Sequence, residues 1–92
     1  MNTPSTHPPP RTLVLPPCIW ERLRLALCLS GRELEILRGV MEDRSERGIG
    51  VQLGVSPNTV HTHLVRLYQK LGVNSRTGLV VRVFAEYVAL GK

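Results

Sequence analysis

Residues 49–60 read Ile49-Gly50-Val51-Gln52-Leu53-Gly54-Val55-Ser56-Pro57-Asn58-Thr59-Val60, and the fold turns on them. Gly54 suits the left-handed conformation that ends a helix. Ser56 suits an N-cap, and Pro57 suits the first helical position, where a missing N–H is no loss. Only Gly54-Val55-Ser56 then separates one helix from the next, which is the helix-turn-helix pattern. Gly50 marks the place where the two helices approach too closely for a larger residue. Val55 is apolar and can plug the corner, and Ile49, Leu53 and Val60 face inward.

Working outward, the second helix of the motif runs over 57–71 without a breaker. Gly72 and Val73 suit a Schellman cap. At 100° per residue, Val60, Leu64, Leu67 and Leu71 share one face. The opposite face holds Asn58, Thr62, Val65 and Gln69, with His61 on one flank and Thr59 and Arg66 on the other. Exposed helix faces usually carry Glu and Lys. Amide, hydroxyl, imidazole and one aliphatic group instead suit base edges, since Asn can pair with adenine and Val can touch a thymine methyl. The base-reading candidates are Asn58, His61, Thr62 and Val65. Arg66 and Lys70 lie toward the edge, where phosphates would be.

Ser45 can cap the first helix of the motif, although Gly48 and Gly50 inside it oppose helix formation. Upstream, Ser30 and Glu33 form the S-x-x-E capping box. The stripe Leu34, Leu37, Val40 and Met41 follows, ending around 41–43. A shorter helix is expected over about 17–28, with Ile19, Leu23 and Leu27 four apart and Trp20 beside them. The last helix is expected over 75–90, its Ser and Gly ends outweighing a β-branched middle. Leu79, Val83, Tyr87 and Leu90 form its inner row. Val80, Phe84 and Val88 form a second apolar row, a candidate dimer contact, flanked by Arg82 and Glu86.

The composition agrees. Ninety-two residues make one small domain, too small for an enzyme with a deep interdomain cleft. The first 17 residues hold six of the seven prolines, so 1–16 reads as a flexible Pro-rich tail and 17–92 as the folded unit. No apolar run approaches the ~18 residues of a membrane span, and no signal-peptide pattern opens the chain. The net charge is +5. From Arg47 to Arg82 there are five basic residues and no acidic one, which suggests a polyanionic partner. Cys18 and Cys28 read as reduced, partly buried thiols rather than a disulfide framework. His61 and His63 point ~200° apart on a helix and cannot share a metal ion. Neither a catalytic set nor a cofactor site is evident, so no cofactor, metal, membrane or small-molecule ligand is expected.

Three segments stand out: Leu29-Ser30-x-Arg32-Glu33, the run Leu53-Gly54-Val55-Ser56-x-x-Thr59-Val60-x-x-His63 that contains the turn, and Lys70-Leu71-Gly72-Val73 followed by Ser75-Arg76. With them, roughly Leu29 to Tyr87 resembles the LuxR/GerE-type helix-turn-helix domain of bacterial transcription regulators. The resemblance implies an all-α, four-helix domain, here with one extra short N-terminal helix. It implies a motif at about 45–64, a recognition helix 57–71 in the major groove of double-stranded DNA, and a dimerisation helix 75–90. Base-reading positions carry over to His61, Thr62 and Val65, and backbone contacts to Ser56, Thr59, Arg66 and Lys70. Arg47 and Arg76 join the backbone set through the positive field. The departures are His61, where the family often has Lys or Arg, Gly50 in place of Ala, and Gly48 in place of an acidic or polar residue. The residues ahead of the domain are too few for a receiver or ligand-binding domain, so the chain resembles stand-alone members. The expected role is sequence-specific DNA binding in transcription regulation, in the cytoplasm at the bacterial nucleoid. A weak homodimer and RNA polymerase are the expected partners. The rival reading is an adaptor that touches the transcription machinery with the same fold.

Overall fold

A computed structural model of the chain describes residues 15–91. The expected tail lies almost wholly outside them. The described residues form five helices: α1 (Pro17–Ala26), α2 (Gly31–Met41), α3 (Glu46–Leu53), α4 (Pro57–Leu71) and α5 (Arg76–Leu90). No strand occurs among them, so the β-branched middle of α5 is helical. No helix among the described residues is long and apolar enough to cross a membrane.

Four of the five helices start where the sequence supplies a serine cap. The Ser30 hydroxyl accepts the Glu33 N–H, and the Glu33 carboxylate accepts the Ser30 N–H at 2.8 Å, completing the capping box. The hydroxyls of Ser45, Ser56 and Ser75 accept the N–H groups of Gly48, Thr59 and Gly78. Helix α1 has no side-chain cap and relies on Pro17 at its first position.

Four helices end on a left-handed residue. Gly54 (φ 74°) and Gly72 (φ 72°) do so freely. After Gly72, the Val73 N–H donates to the Tyr68 carbonyl and the Gly72 N–H to the Gln69 carbonyl, the paired bonds of a Schellman cap. Cys28 (φ 57°) and Asp43 (φ 62°) turn α1 and α2 in the same way without glycine. The Leu29 N–H then reaches the Arg24 carbonyl, and the Arg44 N–H the Gly39 carbonyl.

The core is aliphatic except for one indole. Trp20, Leu23, Leu27, Leu29, Ile36, Leu37, Val40, Ile49, Val60, Leu64, Leu67, Leu79 and Val83 are buried together. Among the described residues, no polar or charged residue is buried with them. Helix α4 is the hub: α3, α2 and α5 all pack on it, while α1 packs on α5 and α2. The Arg38 guanidinium lies 5.1 Å from the Trp20 ring centre and covers its outer side.

Several expectations are corrected. Helix α1 ends at Ala26 rather than Cys28. On α2, Leu34 and Met41 are only half-buried, while Ile36 is fully buried. The cause is that α2 is packed by α1, α4 and α5, so one stripe cannot describe it. Tyr87 does not close the core. It stands between two shallow grooves where α1 meets α5, and it is 38% exposed. Cys18 and Cys28 are free but exposed, not partly buried. Cys18 lies on the outer side of α1, and Cys28 is at the exposed left-handed turn that ends it.

Two glycines set the helix spacing. A Cβ on Gly39 of α2 would lie 2.5 Å from Ile49 Cγ1 of α3. A Cβ on Gly50 would lie 2.6 Å from the Val55 carbonyl oxygen. The missing methyl at Gly50 thus lets the turn fold back on α3, as the spacing of residues 50–54 leads one to expect.

Candidate nucleic-acid interface

Helix α4 divides cleanly. Val60, Leu64 and Leu67 are buried, and His63, Tyr68 and Leu71 are half-buried. Asn58, Thr59, His61, Thr62, Val65, Arg66, Gln69 and Lys70 are exposed. The base-reading candidates Asn58, His61, Thr62 and Val65 therefore share one outward surface, and α4 carries no acidic residue of its own.

Local bonds order that surface. Ser56 Oγ lies 3.0 Å from Thr59 Oγ1 and accepts the Thr59 N–H, so the two hydroxyl candidates form one cap. The Thr62 hydroxyl donates to the Asn58 carbonyl at 3.1 Å. Its proton is used within the helix, and its remaining lone pairs can only accept. Nδ1 of His61 lies 2.9 Å from Oε2 of Glu46, which α3 contributes from its first turn. Sequence reasoning left Glu46 out. It stands just ahead of the carboxylate-free stretch that begins at Arg47, and only the folded turn brings it beside α4.

The cations fall into two groups. Arg47 on α3 and Arg66 on α4 are exposed, and neither joins a hydrogen bond or ion pair among the described residues. The other candidates are engaged. Lys70 Nζ pairs with Glu33 Oε1 at 2.9 Å, and the Arg76 guanidinium donates to the Arg44 carbonyl. Arg82 pairs with Glu86 at 3.0 Å along α5. The Ser30 N–H, aided by Lys70, holds the Glu33 carboxyl below the usual carboxylate range. Tyr68 sits inside the α3–α4–α5 corner, where burial pushes its phenol up; Arg76 opposes that rise and Glu46 adds to it.

On α5, Phe84 and Val88 are 58% and 44% exposed, and Val81 beside them is exposed too. Val80, the third candidate of this row, is half-buried against the core. The exposed strip is therefore Val81, Phe84 and Val88, bordered by Tyr87.

The helices that build this face, with the glycine turn between α3 and α4, fall within one family match. Residues 27–83 match GerE, the luxR family of bacterial regulatory proteins. The chain is a member of that luxR family. The match takes in α2, α3, α4 and the first half of α5, and leaves α1 outside.

This luxR-family chain is 40% identical over 62 residues to the probable transcriptional regulatory protein NarL of Mycobacterium tuberculosis, covering 67% of this chain and 29% of that protein. It is 38% identical over 72 residues to the monoamine regulon transcriptional regulator of Klebsiella aerogenes, covering 78% and 32%. It is 36% identical over 56 residues to the transcriptional regulatory protein UhpA of Escherichia coli, covering 61% and 29%. The chain thus spans a third or less of each of these relatives. No solved structure matches it.

Proposed function

We propose that this luxR-family chain regulates transcription by binding double-stranded DNA in a sequence-specific way, with α4 in the major groove. The observation that carries the reading is the outward face of α4. It is exposed, free of its own carboxylates, and accompanied by exposed Arg47 and Arg66, two cations whose side chains have no partner among the described residues. A guanidinium left free beside amide, hydroxyl and aliphatic groups fits phosphate beside base edges. Ser56 and Thr59, at the positive end of α4, would add hydroxyl contacts to the backbone. Lys70 and Arg76 contribute less, because each is already bonded within the fold.

Two copies would bind as a weak homodimer through Phe84, Val88 and Val81 of α5. Pairing the strip across a two-fold axis hides both copies in one self-complementary contact. Val80 supports the strip from beneath. Such a regulator would act at the bacterial nucleoid, beside RNA polymerase.

Selection from a random pool of duplexes tests the reading. Enrichment of a palindromic site, with affinity falling steeply as salt rises, is the expected result. No enrichment at low salt would point to an adaptor that uses the fold without reading DNA.

A further inference from the structure

We infer that Glu46 fixes the tautomer of His61, and so makes α4 favour an amino-bearing base over a carbonyl-bearing one at a single position of the major groove. This rests on the proposed DNA reading. It adds a residue from the scaffold helix to the base-reading set.

The chemistry follows from one contact. An ionised carboxylate only accepts hydrogen bonds. With Glu46 Oε2 at 2.9 Å, His61 Nδ1 must carry the hydrogen. A neutral imidazole protonated there has a bare lone pair on Nε2, which forms no hydrogen bond among the described residues while the side chain stays exposed. Adenine N6 and cytosine N4 offer donors to such a lone pair in the major groove. Guanine N7 and O6 and thymine O4 offer only acceptors, which repel it.

The geometry holds Glu46 in place. The Ser45 hydroxyl accepts the Gly48 N–H at 3.0 Å and fixes the first turn of α3. The close contact of Gly50 with the turn fixes α3 against α4. A carboxylate this near a polyanion lowers affinity for every sequence, so its effect is on discrimination rather than on strength.

Two variants separate orientation from charge. Glu46→Gln removes the charge but keeps an oxygen acceptor for Nδ1–H. Glu46→Ala removes both. Imidazole nitrogen chemical shifts, measured without DNA at about pH 8.5, should show the Nδ1–H form in the parent and in Glu46→Gln. In Glu46→Ala they should show a shift toward Nε2–H.

Duplex selection at the same pH should give the parent a preference for amino over carbonyl bases of about tenfold at one position. Glu46→Gln should hold that within about twofold, and Glu46→Ala should bring it below about twofold. Both variants should bind random DNA more tightly. An Nε2–H ring in the parent overturns the inference, and so does an undiminished preference in Glu46→Ala. Failure of the parent to enrich any site overturns the DNA reading itself, and this inference with it.

Discussion

Lys70 Nζ lies 2.9 Å from Glu33 Oε1, which ties the last turn of α4 to the capping box that opens α2. One carboxylate thus caps a helix and restrains a cation at the edge of the proposed DNA face. Removing it should act on both. Glu33→Gln should free Lys70 and steepen the dependence of log K on log salt by up to about one. A salt titration with random duplex reads this, and an unchanged slope would place Lys70 away from the phosphates.

The same carboxyl gives the fold an acid limb. Its folded pKa is depressed, mainly by the Ser30 N–H and further by Lys70. Its contribution is therefore present above the unfolded value and is lost as pH falls through the folded one. Thermal melts should show stability dropping below about pH 4.3, with a shallower drop in Glu33→Gln. Equal acid limbs for parent and variant would contradict this.

Arg47→Ala and Arg66→Ala should each weaken binding to all sequences alike and reduce the salt slope by about 0.9. Lys70→Ala should do less, because its charge is already met by Glu33. The ranking is the informative part, since a larger loss at Lys70 than at Arg66 would reverse the assignment.

Asn58→Ala, Thr62→Ala and Val65→Ala should each cost about 1–3 kcal/mol on the selected site and little on random DNA. Thr62→Val tests the hydroxyl alone. Equal losses on both kinds of duplex would mean that these side chains do not read bases.

The glycines should respond in opposite directions. At Gly48, an added Cβ meets nothing closer than Ser45 Oγ at 3.4 Å. Gly48→Ala should therefore stabilise by about 0.5–1 kcal/mol through helix propensity. Gly39→Ala and Gly50→Ala should destabilise by about 1–3 kcal/mol, because Ile49 and the Val55 carbonyl stand in the way. Denaturant titration of the three variants checks the order.

Phe84→Glu with Val88→Glu should abolish the proposed dimer in sedimentation at high concentration while helical content is kept, since both side chains are exposed. Val80→Glu is expected to cost folding as well, because Val80 packs on the core. A double variant at 84 and 88 that unfolds would assign the strip to the monomer.

Local chemistry made the helix starts legible: Ser30, Ser45, Ser56 and Ser75 each cap the helix that they precede in sequence. The glycine ends at Gly54 and Gly72 and the inward row of α4 were legible for the same reason. The end of α1 was not, because Cys28 takes the left-handed conformation without glycine's freedom. Ile36 and Tyr87 were misplaced because a periodic stripe assumes one neighbour per helix, whereas α2 has three and α5 meets α1 at its far end. The exposed face of α4 could be read from residue types. Its coupling to Glu46 and Glu33 could not, since those partners lie 15 and 37 positions away in sequence from His61 and Lys70.

The absent methyl at Gly50 also bears on how the protein fits a target. With the Val55 carbonyl seated against α3, the two helices of the motif have no slack to hinge. In the proposed DNA reading, α4 would then meet a duplex already formed, and only long side chains such as Arg47, Arg66 and Gln69 would lose freedom on contact. In the proposed dimer, any mismatch between two half-sites would then be taken up elsewhere, by curvature in the duplex or by slippage between the α5 helices.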